Sequence, residues 1–237
     1  MDSVERYSRQ TMLPELGAEG QKRLSATKIL LVGAGGLGSP IATYLTAAGI
    51  GTLGIIDADK VSVSNLQRQT LYTEDEVGQS KVECAYKRLH GLNNEVSIRT
   101  YDCFLTKDNA AEIISGYDMV VDGCDNFATR FIINDICIAA GKPYIYGSIQ
   151  GLNGQISVFG VPDASGKVHS YRDLYDESEL LSMEAPSKAV LGITPAVTGS
   201  VEANQVLQLA AGFGEPLIGK LWSIDLRTME SYIIDLP

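Results

Sequence analysis

The sequence is short of cysteine, of basic residues and of long apolar runs, and each shortage removes a class of protein. Its four cysteines, Cys84, Cys103, Cys124 and Cys137, stand singly. With no C-x-x-C pair among them, neither a zinc site nor a dense disulfide frame is expected, and most should be buried, reduced thiols. Lys and Arg number 19 against 29 Asp and Glu, a formal charge of −10. Such a chain repels polyanions, because nucleic-acid binding relies on many cationic contacts to phosphate; a broad nucleic-acid-binding face is not expected. Residues 1–7 mix both charges where a secretory signal needs an apolar core, and no apolar run approaches the length that spans a bilayer. A cytoplasmic protein without a membrane partner is therefore expected. The two histidines, His90 and His169, have no partner pattern and read as structural or exposed.

What remains, 237 residues with a mean hydropathy of +0.04, suffices for one substantial core. The predicted organisation is a single domain over 1–237. It comprises an N-terminal helical arm over 1–27, a nucleotide-binding half over 28–148 and a sheet extension over 149–237 containing a crossover loop at 170–193.

The pattern from residue 28 alternates strand and helix. Strands are expected at Lys28 to Gly33, Thr52 to Asp57, Glu95 to Tyr101 and Asp118 to Asp122. Helices are expected at Gly36 to Ala48, capped by Gly49, near Gln79 to His90, after Thr106, and from about Asn126 to Ala140. This is the rhythm of an α/β, Rossmann-like doubly wound, mostly parallel sheet. After Pro143 the runs Tyr144 to Ser148, Gln155 to Gly160 and, more weakly, Lys167 to Ser170 predict antiparallel strands that extend it. The stretch 170–193 is rich in Asp, Glu and Ser without periodicity, which predicts a flexible crossover. Thr194-Pro195 reads as a helix start, with the Thr194 hydroxyl as cap and Val197, Val201, Val206, Leu207 and Ala210 on its core side. Lys220 to Asp225 and Glu230 to Ile234 read as a closing hairpin.

Between the first strand and helix, Gly33, Gly35 and Gly38 permit a tight turn and close backbone approach to phosphate, at the positive end of a helix dipole. Asp57, at the next strand end, could accept hydrogen bonds from ribose hydroxyls or be an ordinary strand-ending aspartate. Hydride transfer would use no more than these. Arg68, Lys81 and Asp125 add two cations and a carboxylate, which suits a triphosphate with about four negative charges. Each unit pair of like charges 4 Å apart is worth about 4 kcal/mol of repulsion at an effective dielectric near 20. Arginine forks around phosphate oxygens, lysine supplies a mobile point charge, and a carboxylate can hold magnesium against the phosphates. Singly, each is more often a solvated surface charge; together they point to ATP chemistry. Cys124, before Asp125, fits packing better than nucleophilic work.

These segments resemble one family. R-Y-x-R-Q at Arg6 to Gln10, G-x-G-G-L-G at Gly33 to Gly38, D-x-D at Asp57 and Asp59, S-N-L-Q-R-Q at Ser64 to Gln69, G-Q-x-K at Gly78 to Lys81, D-x-x-D-N at Asp122 to Asn126 and G-S-V-E-A at Gly199 to Ala203 look like the HesA/MoeB/ThiF family. It is a branch of the ubiquitin-activating-enzyme superfamily. The resemblance implies Mg-ATP-dependent adenylation of the C-terminal glycine of a small ubiquitin-like sulfur carrier ending in Gly-Gly, in pathways of the thiamin or molybdopterin type. It places Gly36, Asp57, Asp59, Ser64, Asn65, Leu66, Gln67, Arg68, Lys81, Asp125 and Asn126 around ATP. Asp57 would meet ribose, Arg68 and Lys81 the phosphates, and Asp125 a magnesium ion. It also implies a homodimer in which Arg9 reaches the neighbouring subunit's site.

The match fails in two places. Ser170-Tyr171-Arg172-Asp173 stands where many relatives carry a first zinc-binding cysteine pair, so no zinc is expected. No cysteine follows Cys137, so a thiolate in the crossover loop is excluded and a separate sulfur donor is implied. Three other readings compete: a tRNA-modifying ATP-dependent dehydratase of the same superfamily, which the net charge opposes; an NAD-dependent oxidoreductase, which leaves Arg68, Lys81 and Asp125 without work; and a non-catalytic carrier-binding scaffold.

Overall fold

The computed structural model describes residues 3–184 and 187–237. Among these, eight strands form one sheet in the order β3-β2-β1-β4-β5-β6-β7-β8. β1 (Lys28–Val32), β2 (Thr52–Ile56), β3 (Ser97–Tyr101), β4 (Met119–Asp122) and β5 (Tyr144–Gln150) pair in parallel. β6 (Asn153–Phe159), β7 (Lys220–Asp225) and β8 (Glu230–Asp235) continue the sheet antiparallel. The expected doubly wound sheet with its antiparallel extension is thus what the chain forms.

Central strands are buried on both faces, which is why they read as unbroken apolar runs rather than alternating ones. Ile29 and Leu31 of β1 point into one hydrophobic cluster, and Leu30 and Val32 into the other. The first cluster is covered by α3 (Gly17–Ala26), α4 (Gly38–Ala48), α5 (Lys81–Leu92) and α9 (Ile193–Ala211). The second lies under α6 (Ala110–Ser115) and α7 (Phe127–Ala140). α4 ends as expected at Gly49, in the left-handed region with φ 82°, where its N–H bonds back to Thr46.

Two short helices, α1 (Ser3–Arg6) and α2 (Ser8–Thr11), precede α3. This arm is tied to the edge of the sheet where strands begin. The Tyr7 ring packs on Gly49, its hydroxyl accepts from Asn93 Nδ2 at 2.8 Å and donates to Glu95 at 3.2 Å, and Gln10 Nε2 donates to the Ala48 carbonyl at 3.1 Å.

Two expectations are corrected. Lys167 to Ser170 is no regular strand: beyond a bridge between Pro162 and Val168 and the Gly160 amide donating to the His169 carbonyl at 3.1 Å, the Asp163 carboxylate accepts the Lys167 amide and pairs with His169 Nε2 at 3.0 Å, and the Ser170 amide turns to Asp173. The local turn outcompetes strand pairing. Within the crossover 170–193 a 3-10 turn forms at Tyr171–Asp173 and α8 at Glu177–Ser182. The buried Tyr171 ring anchors it among Phe131, Tyr146 and Tyr175, and Arg172 forks onto Asp135 with two 2.7 Å bonds. Residues 185 and 186 of that crossover lie outside the described residues, as do residues 1 and 2 of the arm. Finally, Thr194 does not cap α9, which begins at Ile193; its hydroxyl donates to the Gly151 carbonyl at 3.0 Å, joining the helix to the β5–β6 turn.

Candidate active site at the carboxyl edge of the sheet

Strand order reverses between β1 and β4, and in open α/β sheets ligands bind outside the carboxyl ends of strands at such a point. Here the chain leaves β1 into the glycine loop with Gly33 at φ 92°. A Cβ on Gly33 would lie 2.5 Å from the Gly123 carbonyl oxygen, and the Gly123 amide donates to Val32 at 2.7 Å. The loops after β1 and β4 therefore touch backbone to backbone, which only glycine allows. The helix begins at Gly38, two residues later than expected, leaving Gly35 and Gly36 in the turn itself.

Asp57, at the end of β2, is built into this loop. One carboxylate oxygen accepts the Ala34 amide and the other the Asp59 amide, each at 2.8 Å. A carboxylate has about four acceptor positions, so two remain for a ligand. Lys81, the first residue of α5, is buried with its ammonium 2.8 Å from Asp59 and 3.8 Å from Asp57. Tyr72 closes the loop from below by donating to the Ala34 carbonyl at 2.7 Å.

The S-N-L-Q-R-Q segment begins within a 3-10 turn at Val63–Asn65, where the Asn65 side chain accepts the Ser62 amide at 3.3 Å. Ser64 and Gln67 are exposed, Leu66 packs partly on the core, and Gln69 is buried beside Gly35. Arg68 donates to the Ser64 carbonyl at 3.0 Å, and its Cδ lies 3.6 Å from where a Cβ on Gly36 would be. Pro195 of α9 approaches the same glycine, while Gly192 sits on the Gln67 carbonyl. The far end of the crossover thus closes one side of the cleft.

After β4, Asp125 is exposed, and its carboxylate has no hydrogen bond or ion pair with any described residue. Asn126 uses its side-chain oxygen to cap α7, accepting the Thr129 amide at 2.9 Å. Glycine loop, Asp57, Asp59, Ser64 to Arg68, Lys81, Asp125 and Asn126 therefore share one edge. Arg9 does not. The exposed Arg9 belongs to the arm at the opposite edge, separated from its own glycine loop by the length of α4, about 16 Å for 11 residues.

Two features escaped sequence reading. Asp122 and Arg130 form a fully buried ion pair at 2.9 Å, joined by the Tyr144 hydroxyl at 2.9 Å. Burial opposes the Arg130 charge, yet the Asp122 carboxylate beside it holds the guanidinium charged. Cys124 is held there too, its thiol donating to Asp122 at 2.8 Å; burial first, then Asp122, pushes that thiol well up, which removes it as a nucleophile. The spacing D-x-x-D-N-x-x-x-R carried this signal, because a helix opening at residue 127 turns its fourth residue back toward the strand end. The second feature is Glu202 in G-S-V-E-A, which is fully buried. Among the described residues no cluster of three or more His, Cys, Asp or Glu could hold a metal alone, and no helix is long and apolar enough to cross a membrane.

A doubly wound sheet with a glycine loop at its switch point, two cations and an open carboxylate on one rim is the architecture of the nucleotide-binding class of α/β proteins. The particular kind follows from comparison with known proteins: the chain belongs to the ThiF family, whose model matches residues 7–236. It is 44% identical over 228 residues to the sulfur carrier protein adenylyltransferase of Thermus thermophilus, covering 94% of this chain and 84% of that protein. It is also 44% identical over 231 residues to the probable adenylyltransferase/sulfurtransferase MoeZ of Mycobacterium tuberculosis, covering 96% of this chain but 59% of MoeZ. Among solved structures, E. coli MccB with ATP superposes with a TM-score of 0.80 at 26% identity, over 98% of this chain and 71% of that one. The family expected from the motifs is the family found.

Proposed function

We propose that the protein adenylates the C-terminal glycine carboxylate of a ubiquitin-like sulfur carrier, using ATP and Mg2+ and releasing pyrophosphate. The observation that carries this reading is the convergence of Arg68, Lys81 and the unengaged Asp125 carboxylate on the rim that holds the glycine loop. The names of the relatives point the same way.

In this reading the carrier's carboxylate oxygen attacks the α-phosphorus, a bond forms between them, and the bond to the bridging oxygen of the leaving pyrophosphate breaks. The backbone from Gly33 to Gly38 lies along the phosphates, with Gly35 and Gly36 leaving room for close approach. Asp57 accepts from ribose with its two remaining lone-pair positions. Ser64, Asn65, Leu66 and Gln67 line the cleft, and Asn126 stands beside Asp125 as the cap of α7. Arg68 gives up its carbonyl partner for phosphate oxygens, and Lys81 exchanges Asp59 for the negative charge that develops on the phosphates. A lone carboxylate facing a phosphate site is the donor set magnesium favours, since that ion keeps most of its water and takes one or two carboxylates plus phosphate oxygens. Bound at Asp125, it would screen phosphate charge.

Arg9, remote from its own glycine loop, serves the site of a second subunit in a homodimer. The acyl adenylate then passes to a separate sulfur donor, since the crossover 170–193 carries no thiol. Pathways of the thiamin or molybdopterin type are the context, in the cytoplasm.

The test is isotope exchange between pyrophosphate and ATP with carriers ending in Gly-Gly. Exchange should require Mg2+ and the carrier's terminal glycine. Carrier-independent exchange, or none with several intact carriers, would refute the assignment.

A further inference from the structure

Resting on the reading of Asp125 as the carboxylate that meets the nucleotide's metal, we propose that Arg130 is a positioning residue that aims it. Asp125 lies between two residues whose backbones are pinned, and Arg130 is at the centre of the pinning. Its Nη2 donates to the Cys124 carbonyl at 3.0 Å and to the Gly147 carbonyl of β5 at 3.1 Å, while Nε bonds Asp122 at 2.9 Å. The Cys124 amide donates to the other oxygen of Asp122 at 2.9 Å. Both peptide groups flanking Cys124 are therefore fixed, the one before it through Asp122 and the one after it through Arg130. On the other side, Asn126 is fixed as the cap of α7.

Only the Asp125 side chain in this segment is left uncommitted. A carboxylate that is exposed and unpartnered, on backbone held on one side by the buried Asp122 and Arg130 and on the other by the cap of α7, is arranged to meet a ligand from solvent without first ordering its own loop. The planar fork is needed because three acceptors on β4, the following loop and β5 are reached at once. A lysine ammonium at 130 keeps the charge opposite Asp122 but cannot span all three.

The test compares the full-length parent and Arg130→Lys by isothermal titration calorimetry with ATP, first in EDTA and then with increasing Mg2+. No carrier is present, so turnover plays no part. Circular dichroism checks the fold. The expected result is metal-free nucleotide affinity within about twofold of the parent, with the Mg2+ concentration for half-maximal tightening raised on the order of tenfold, as for loss of an outer-shell partner. An unchanged Mg2+ response, or equal loss of nucleotide with and without metal, would overturn the inference and leave Arg130 a core residue only. Should Arg130→Lys not fold, Tyr144→Phe removes one bond to Asp122 without a charge change. It should raise the Mg2+ requirement in the same direction by less, and no rise there would also overturn the inference. Asp125→Ala separates the two readings. It should abolish the Mg2+ response, and a full response in that variant would refute the role of Asp125 itself.

Discussion

The carboxyl group of Glu202, on α9, presses against the Cα of Gly147, on β5, so closely that a Cβ at 147 would overlap it. Both Glu202 oxygens are buried without a hydrogen-bond partner, and the Thr198 hydroxyl, one helical turn earlier, is likewise unpartnered beside Gly154. The longest helix is thus seated on the sheet through glycines that admit polar side chains. The Gly147 carbonyl is also one that Arg130 grips, so the seat of α9 and the loop carrying Asp125 share a peptide group. Gly147→Ala should destabilise the chain by about 1–3 kcal/mol through overpacking. Adding Glu202→Ala should recover part of that loss, and urea denaturation of the single and double variants measures the coupling.

Glu202 also predicts a pH dependence. Burial, reinforced by the nearby Asp122 carboxylate and opposed more weakly by Arg130, pushes its carboxyl well above the usual range. The folded state therefore holds a proton that the unfolded state releases above about pH 4.3. Stability from this group is complete below that pH and is lost as pH rises toward the folded value, because there the native state binds more protons than the unfolded one. Glu202→Gln removes the titration. Its stability advantage over the parent should grow from pH 5 to pH 9 in chemical denaturation series, and a constant difference would show that Glu202 is not neutral in the fold.

Asp122 and Asp125 stand three residues apart in one motif and should behave oppositely. Asp122 is buried against Arg130, so Asp122→Asn leaves a guanidinium without its counter-charge and should cost about 3–5 kcal/mol. Asp125 is exposed and unpaired, so Asp125→Asn should change stability by no more than about 0.5 kcal/mol while suppressing pyrophosphate exchange. Thermal unfolding and exchange, measured on both variants, decide the matter. Equal effects of the two substitutions on stability would contradict the geometry.

The contrast between these aspartates also marks how far the sequence could be read. The central strands β1, β2 and β4 were legible because burial on both faces leaves apolar runs, and the turn at Gly49 because a left-handed cap favours glycine. The edge hairpin at 220–235 was legible from its two short runs, even though all of β8 is exposed. The site residues could be gathered because the glycine loop and the S-N-L-Q-R-Q segment are local motifs. What stayed hidden is whatever depends on a competing hydrogen-bond partner that periodicity does not reveal. Thr194 looked like a cap until the Gly151 carbonyl competed for its hydroxyl, and Lys167 to Ser170 looked like a strand until Asp163 and Asp173 collected polar groups from it. Arg130 resembled any helix arginine because its acceptors, at 122, 124 and 147, lie on three separate segments.

Among the described residues the Arg68 side chain hydrogen-bonds only the carbonyl of Ser64, four residues away in its own turn, so no distant hydrogen bond is lost with it. Arg68→Ala should leave the melting temperature near that of the parent and lower pyrophosphate exchange by on the order of 100-fold, the scale of removing one preorganised charge stabiliser. The loss should fall on turnover more than on the Michaelis constant for ATP. A loss confined to the Michaelis constant would make Arg68 a ground-state binder only.

Arg9 supplies the sharpest test of assembly, because its arm is fastened to the amino edge by Tyr7 and Gln10 while the nucleotide rim is at the other. An arginine so placed can serve its own site only if the arm detaches, whereas in a two-fold dimer it can serve the partner's. Arg9→Ala and Asp125→Ala should each be nearly inactive alone. Equimolar mixing with subunit exchange makes about half the dimers mixed, and each mixed dimer holds one site with both residues intact, so roughly a quarter of the parent's exchange should return. The mixed dimer can be isolated with two affinity tags, and its exchange measured directly. If it is no more active than the two variants apart, Arg9 does not act across the subunit boundary.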